Sequence, residues 1–421
     1  MSRPEIARFA PALGWLVCLL QATSLAACGG GEAGASDTAA TDTGAGDSDG
    51  AGASADGDDG GDEGSTTHLG ADGGGDAGGN PALAFPTDAK ALTLLLQARA
   101  GSAAMASKPW PGPDAIWPGY GLHKVPMVLA ILDGKLKPIR GYLIGVGVAP
   151  AGAVALDPKA LPTQAAEPVY RHDTGVAKVG AAEEIIIDHD LAGTSVLVVT
   201  YSPARDSDPV RWIRRLGQGY MLRLREIEAL WSTVQACGQV RYPRNLDAIA
   251  LLFLECAVLA EAYNADDPAK ASTYLREWAA IRAAAIDATP AVGLRIRHYD
   301  NQFGSEQFTA GRLAVAAGLQ DHAALDADYL ARLAAPAAVT VTSFDDEMAD
   351  NGTLGAVSME IASRLGWDIE PTLRAADVVY ALVAAKRGAT APEMVQSAKD
   401  RHDWAGFLAR AAEVMALPLD D

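Results

Sequence analysis

The sequence predicts an α+β fold, with a mixed or antiparallel sheet of about five short strands followed by a mostly helical second half. Two patterns carry that expectation. Between residues 81 and 205 the chain shows short apolar runs separated by Gly- and Asp-bearing turns, the signature of strands. From residue 206 to 421 the apolar residues recur every three or four positions, as on a helix with one buried face. Strands first and helices after fit an α+β layout better than alternating βαβ units.

Taken in order, Lys90–Gly101 (KALTLLLQARAG) reads as a helix closed by glycine, and the Pro-rich Lys108–Gly121 as an irregular crossing with Trp110 and Trp117 packed inward. Val125–Leu132 and Gly141–Val148 read as paired strands, with Asp133-Gly134 as the turn of a hairpin. Short strands follow at Pro168–His172, Glu183–Asp188 and Thr194–Tyr201. A helix then starts at Asp208, its stripe running through Ile213, Leu216, Tyr220, Leu224, Ile227, Trp231 and Val234. Asn245–Tyr263 is apolar on nearly every side and predicts a central buried helix. Asp267-Pro268 is a strong helix start for a segment reaching Ala288. Further helices are expected at Ser305–Leu319, Leu325–Ala334, Leu354–Leu365, Pro371–Lys386, Pro392–Lys399 and His402–Met415.

The first 80 residues have a different character. Arg3 and Arg8 precede an uncharged stretch, Phe9–Ala27, whose apolar centre is Leu13–Leu20. This is the pattern of an export signal, too short to remain as a membrane span. Residues 29–80 then hold 18 Gly, 10 Asp and 2 Glu, with no Lys, Arg or aromatic side chain. Such a segment cannot bury enough apolar surface to offset backbone entropy and is expected to be a disordered tether. It also accounts for most of the formal charge of −19, because residues 81–421 carry 32 Lys+Arg against 40 Asp+Glu. A domain so balanced gives no reason to expect nucleic-acid binding.

Leu25-Ala26-Ala27-Cys28 resembles the lipobox of bacterial lipoproteins, with Glu5 a small departure in the n-region. The resemblance implies a signal peptide of residues 1–27, lipidation of the Cys28 thiol and acylation of its new amine. Residues 28–80 would then tether a domain at 81–421 to the membrane, and Gly29 after the cysteine favours the outer membrane. Acyl chains at about 0.8 kcal/mol per buried CH₂ anchor a soluble domain stably once two or more are present. In the mature chain Cys237 and Cys256 are the remaining cysteines. They can pair in an oxidising envelope, and Cys256 in its apolar helix suits a buried thiol equally well.

The search for chemistry yields candidates without a motif. The chain has no HExxH, GxSxG, P-loop or GxGxxG at a strand–helix junction, and nothing calls for a metal or cofactor. Glu255 stands in an apolar helix, where it must be protonated, face a cavity, or be paired with an arginine such as Arg276 or Arg282. Asp188-His189-Asp190 closes a strand and is expected to face solvent, and Asp173-Thr174-Gly175, next to His172, lacks the second triplet of an aspartic protease. Arg205, Arg211, Arg214, Arg215, Arg223 and Arg225 read as a solvated helix face, or else as a contact for anionic lipid or glycan phosphate.

The segments Tyr299–Val315 and Thr353–Ala375 are similar to the later helices of secreted zincin-type metallopeptidases. The place of that family's HExxH reads Val199–Trp212, without a histidine, so no catalytic residue carries over. The resemblance implies a non-catalytic relative in which His298 and Glu306 line the old cleft. The expectation is therefore a membrane-anchored envelope lipoprotein with a binding or scaffold domain for an envelope protein, peptide or glycan. The alternative is a metallopeptidase-like hydrolase with a divergent site built on Glu255, His298 and Glu306.

Overall fold

A computed structural model describes residues 86–163, 165–173, 184–230, 242–338, 343–344, 352–374, 383 and 392–418. Residues 1–85, which hold Cys28 and the expected signal peptide and tether, lie outside the described residues, as do Thr174, Gly175, Trp231, Val234, Cys237 and most of Pro371–Lys386. Everything described belongs to one unit, Gly75–Asp421.

Helix α1 (Pro86–Met105) opens the unit. Strands β1 (Met127–Leu132), β2 (Pro138–Ile144), β3 (Val154–Ala155), β4 (Val169–His172), β5 (Ile185–Leu191) and β6 (Thr194–Tyr201) follow. They form a six-stranded sheet in the order β3-β4-β2-β1-β6-β5. The β1–β6 pair is parallel and the other pairs are antiparallel. Met127, Leu129 and Ile131 pair with Leu197, Val199 and Tyr201 on the face that joins the main core. Val128, Ala130, Val196 and Val198 form a smaller apolar cluster on the other face. Both central strands are thus buried on both sides, which explains why they read as unbroken apolar runs.

Two details differ from the local reading. The first strand-to-strand turn is not a two-residue Asp-Gly turn. Asp133 N–H donates to the Lys137 carbonyl at 2.9 Å, and Asp133 Oδ1 accepts the backbone N–H of both Lys135 and Lys137 at 2.8 Å. The left-handed residue is Leu136 (φ 58°), not Gly134; the aspartate side chain builds the loop by competing for the N–H groups. The extra strand, β3, is two exposed residues and carries no apolar alternation to detect.

Helix α2 (Pro209–Glu226) is capped by Asp208, whose side chain accepts the Val210 N–H. It ends earlier than its stripe suggests: Ala229 is left-handed (φ 48°), Leu230 N–H returns to the Leu224 carbonyl at 3.0 Å, and Ile227 is exposed. Helix α3 (Leu246–Tyr263), capped by Asn245, is the buried central helix its composition predicts. Helix α4 (Pro268–Ala288), capped by Asp267, packs along it. A short α5 (Pro290–Ile296) runs into a π-helical turn, Arg297–Phe303, neither of which is legible in the sequence. Then come α6 (Gly304–Ala316), α7 (His322–Ala338), α8 (Thr353–Arg364), α9 (Glu370–Arg374), α10 (Pro392–Arg401) and α11 (Trp404–Met415). Helices α4, α7, α8 and α11 surround α3.

Small residues set how closely α2 lies against its neighbours. A Cβ on Gly219 would sit 2.7 Å from the Ile185 side chain of β5, and one on Gly217 would sit 3.1 Å from Ala310 of α6. Helix α2 is therefore pressed between sheet and helix. The Trp212 indole donates to the Thr200 carbonyl at 2.9 Å and fixes the N-terminal half of α2 to the end of β6.

Candidate functional site

Glu255 and Glu306 are each held by a different arginine. Glu255 on α3 is 1 % exposed and accepts from Trp278 Nε1 at 3.2 Å and from Arg282 Nε at 2.5 Å. Arg282 is also ion-paired with Asp300 of the π-helical turn. Burial pushes the Glu255 carboxyl above its usual range, against the pull of Arg282 and the Trp278 hydrogen bond. Of the two arginines the sequence offers as partners, Arg282 is the one that pairs.

Glu306, at the start of α6, is 2 % exposed and accepts from Arg225 Nη1 at 2.7 Å. Arg225 also donates to the Gln302 carbonyl at 3.2 Å and to Ser305 Oγ. Burial raises Glu306 to about 7, opposed by Arg225. A third pair, unmarked in the sequence, joins Arg312 of α6 to Glu360 of α8 at 2.8 Å, and Arg364 Nε reaches the other oxygen of Glu360 at 2.9 Å. Burial opposes ionisation of Glu360, but two arginines outweigh it and bring the carboxyl below its ordinary value.

His172 is on β4, near the Ala151 carbonyl at 3.2 Å, and His189 is on β5. Asp188 accepts from Ser195 Oγ at 2.5 Å and Asp190 from the Gly193 N–H at 2.9 Å, so both acids serve the β5–β6 turn. His298 falls in the π-helical turn, its side chain outside the described residues. Cys256 is buried on α3, and Cys237 lies outside the described residues. Ser102 Oγ lies 3.0 Å from His123 Nδ1, a pairing used by nucleophilic enzymes. Ser102 is fully buried, however, and its Oγ also accepts the His123 N–H at 3.2 Å, so a substrate has no approach to it. Among the described residues no group of three His, Cys, Asp or Glu could hold a metal ion.

The cavity lies elsewhere. A cleft of ≈ 600 Å³ opens between α2, α6 and α7, lined by Arg211, Arg214, Arg215, Gln218, Asp328 and Arg332 among others. Its polar side chains are held in register. Arg214 donates to Asp328 at 2.7 Å, and Arg332 lies 3.2 Å from the same carboxylate. Arg215 pairs with the buried Asp206 at 2.7 Å and with Glu184 at 3.1 Å, while Arg205 reaches the same two acids. Asp206 in turn accepts the Ser202 N–H at 2.8 Å, anchoring the cluster to the end of β6.

These arginines correct the reading of a solvated helix face. Arg223 and Arg225 are buried, Arg223 donating to the Ile187 carbonyl and to Ser195 of the sheet, and Arg214 and Arg215 are half-buried ion-pair partners. Arg211 alone of the six is exposed and without an ion pair among the described residues. The α7 side of the cleft, Asp328, Tyr329 and Arg332, escapes sequence reasoning. Its one available signal is the i,i+4 acid–base spacing of Asp328 and Arg332 on a helix.

No protein-family model matches the chain, and no characterised protein or solved structure is significantly similar to it.

Proposed function

We propose that this chain is a lipid-anchored protein of the bacterial envelope whose globular domain binds a ligand without chemically transforming it. The anchor rests on the sequence around Cys28 and on the Gly/Asp-rich tether that follows. The binding role rests on one observation: among the described residues the buried glutamates and the acids of the cleft other than Asp208 are committed to arginines, while the cleft is polar and open. Glu255, Glu306 and Glu360 each have a buried arginine partner. Within the cleft Asp328 is held by two arginines, Glu184 faces Arg205 and Arg215, and one oxygen of Asp208 caps α2. A general acid or base needs an uncommitted carboxyl or imidazole within reach of the reacting atom. No histidine, serine or cysteine lines this cleft among the described residues.

The experiment is fractionation of cells expressing the wild-type chain and Cys28→Ser. The wild type should stay with membranes through a high-salt wash, and the variant should leave them. Retention of the variant would defeat the anchoring part. Chelator-sensitive hydrolysis of a peptide by the purified protein would defeat the binding-only part.

A further inference from the structure

We propose that the cleft between α2, α6 and α7 binds an acidic saccharide, a polyhydroxylated ligand bearing a single carboxylate or phosphate. This rests on the reading of the domain as a binding module and names its ligand class.

Charge is the first argument. In and immediately behind the cleft Arg205, Arg211, Arg214, Arg215 and Arg332 face Glu184, Asp206, Asp208 and Asp328. The guanidinium groups outnumber the carboxylates by one. Arg215 is satisfied by two acids, whereas Arg214 and Arg332 share Asp328 and Arg211 has no ion pair among the described residues. Arg211 also stands in the first turn of α2, where the helix dipole adds to its attraction for an anion. One anionic group is therefore complemented. A polyanion is not, because Asp208, Asp328 and Glu184 lie in the same cleft and repel further negative charge.

Hydroxyl recognition is the second argument. Gln218, Gln307 and Gln320 bring side-chain amides to the lining; Gln307 Oε1 already accepts from Thr353 Oγ1 and Gln320 Nε2 donates to the Gly311 carbonyl, both at 3.3 Å, so the Gln218 amide and Gln320 Oε1 are the groups that meet ring hydroxyls. Carboxylates such as Asp328 accept from hydroxyls as well. The apolar contribution is small, Val210, Ala310 and the ring of Tyr329, so the lining differs from the mostly hydrophobic pocket that takes a lipophilic ligand.

The test is isothermal calorimetry on the full chain in detergent micelles, with four probes: cellobiouronic acid, glucose 6-phosphate, cellobiose and inorganic phosphate. At least one acidic sugar should bind ten-fold or more tightly than both cellobiose and phosphate. The Arg211→Ala/Arg332→Ala double variant should lose that binding ten-fold or more with an unchanged melting temperature. Should the double variant melt lower, Arg211→Ala alone, on an exposed side chain, decides by a several-fold loss. Failure of both acidic sugars, equal binding of cellobiose, phosphate binding as tightly as the sugars, or unaltered affinity in the variant overturns the proposal. Cleavage of cellobiouronic acid during the titration would overturn the non-catalytic reading while leaving the site in place. Anchoring is read independently by the Cys28→Ser fractionation.

Discussion

Replacing Arg282 by methionine exposes how the helical core tolerates Glu255. The guanidinium is the cation shared by Glu255 and Asp300, and it lies over the Trp278 ring, 5.1 Å from the centroid. Methionine keeps much of the volume but strands two buried carboxylates. Breaking a buried pair from one side costs about 3–5 kcal/mol, because the desolvated partner loses its compensation. Unfolding entropy of about 2 cal/mol/K per residue gives roughly 0.7 kcal/mol per kelvin for a unit of this size, so the melting temperature should fall by about 4–7 °C. The triple variant Glu255→Gln/Arg282→Met/Asp300→Asn removes the stranded charges and should recover at least half of the loss. Lower pH should also rescue the single variant, because a buried carboxyl without a cation takes up a proton more readily folded than unfolded. Thermal unfolding followed by circular dichroism, with reversibility checked, reads all three. A loss below about 1 kcal/mol, or a triple variant no more stable than the single, would refute the claim that Arg282 neutralises these acids.

Other consequences follow from neighbouring groups. Glu306, raised by burial to about 7 despite the pull of Arg225, sits above the 4.5 of an exposed glutamate. Its stabilising contribution is therefore full below about pH 4.5 and is lost as pH rises through about 7, a span on the order of 3 kcal/mol; Glu306→Gln should flatten stability between pH 5 and 8, and an unchanged slope would contradict the assignment. A methyl group on Gly355 of α8 would run into the Asp300 backbone carbonyl. Gly355→Ala should thus lose about 1–3 kcal/mol in urea denaturation. Gly293→Ala, whose new methyl meets only Ile286 at 3.4 Å, should be neutral or gain up to about 1 kcal/mol from helix propensity. Equal effects at the two glycines would show that the tight crossing at the π-helical turn is not real.

Local chemistry was enough to place most elements. Asp208, Asn245 and Asp267 mark helix starts because a short polar side chain satisfies N–H groups that the helix itself leaves open. Thr194–Tyr201 matches β6 end to end, and the apolar run of Asn245–Tyr263 is the buried helix α3. The failures were those where a side chain or a crossing overrides local preference. Asp133 rebuilt its turn by binding two N–H groups, Ala229 ended α2 before the apolar stripe did, and the π-helical turn accompanies the close approach of Gly355 to Asp300.

What the sequence alone determined was therefore the order and type of the elements, strands before helices, and that Glu255 must be protonated, paired or facing a cavity. Only the tertiary structure decided which arginine of another element met which acid, as when Arg214 of α2 reaches Asp328 of α7 at the cleft. The physical reason is range. Caps and periodicity act within a turn or two of the chain, whereas an ion pair is chosen by which helix faces pack together, and that choice is made by the whole core at once.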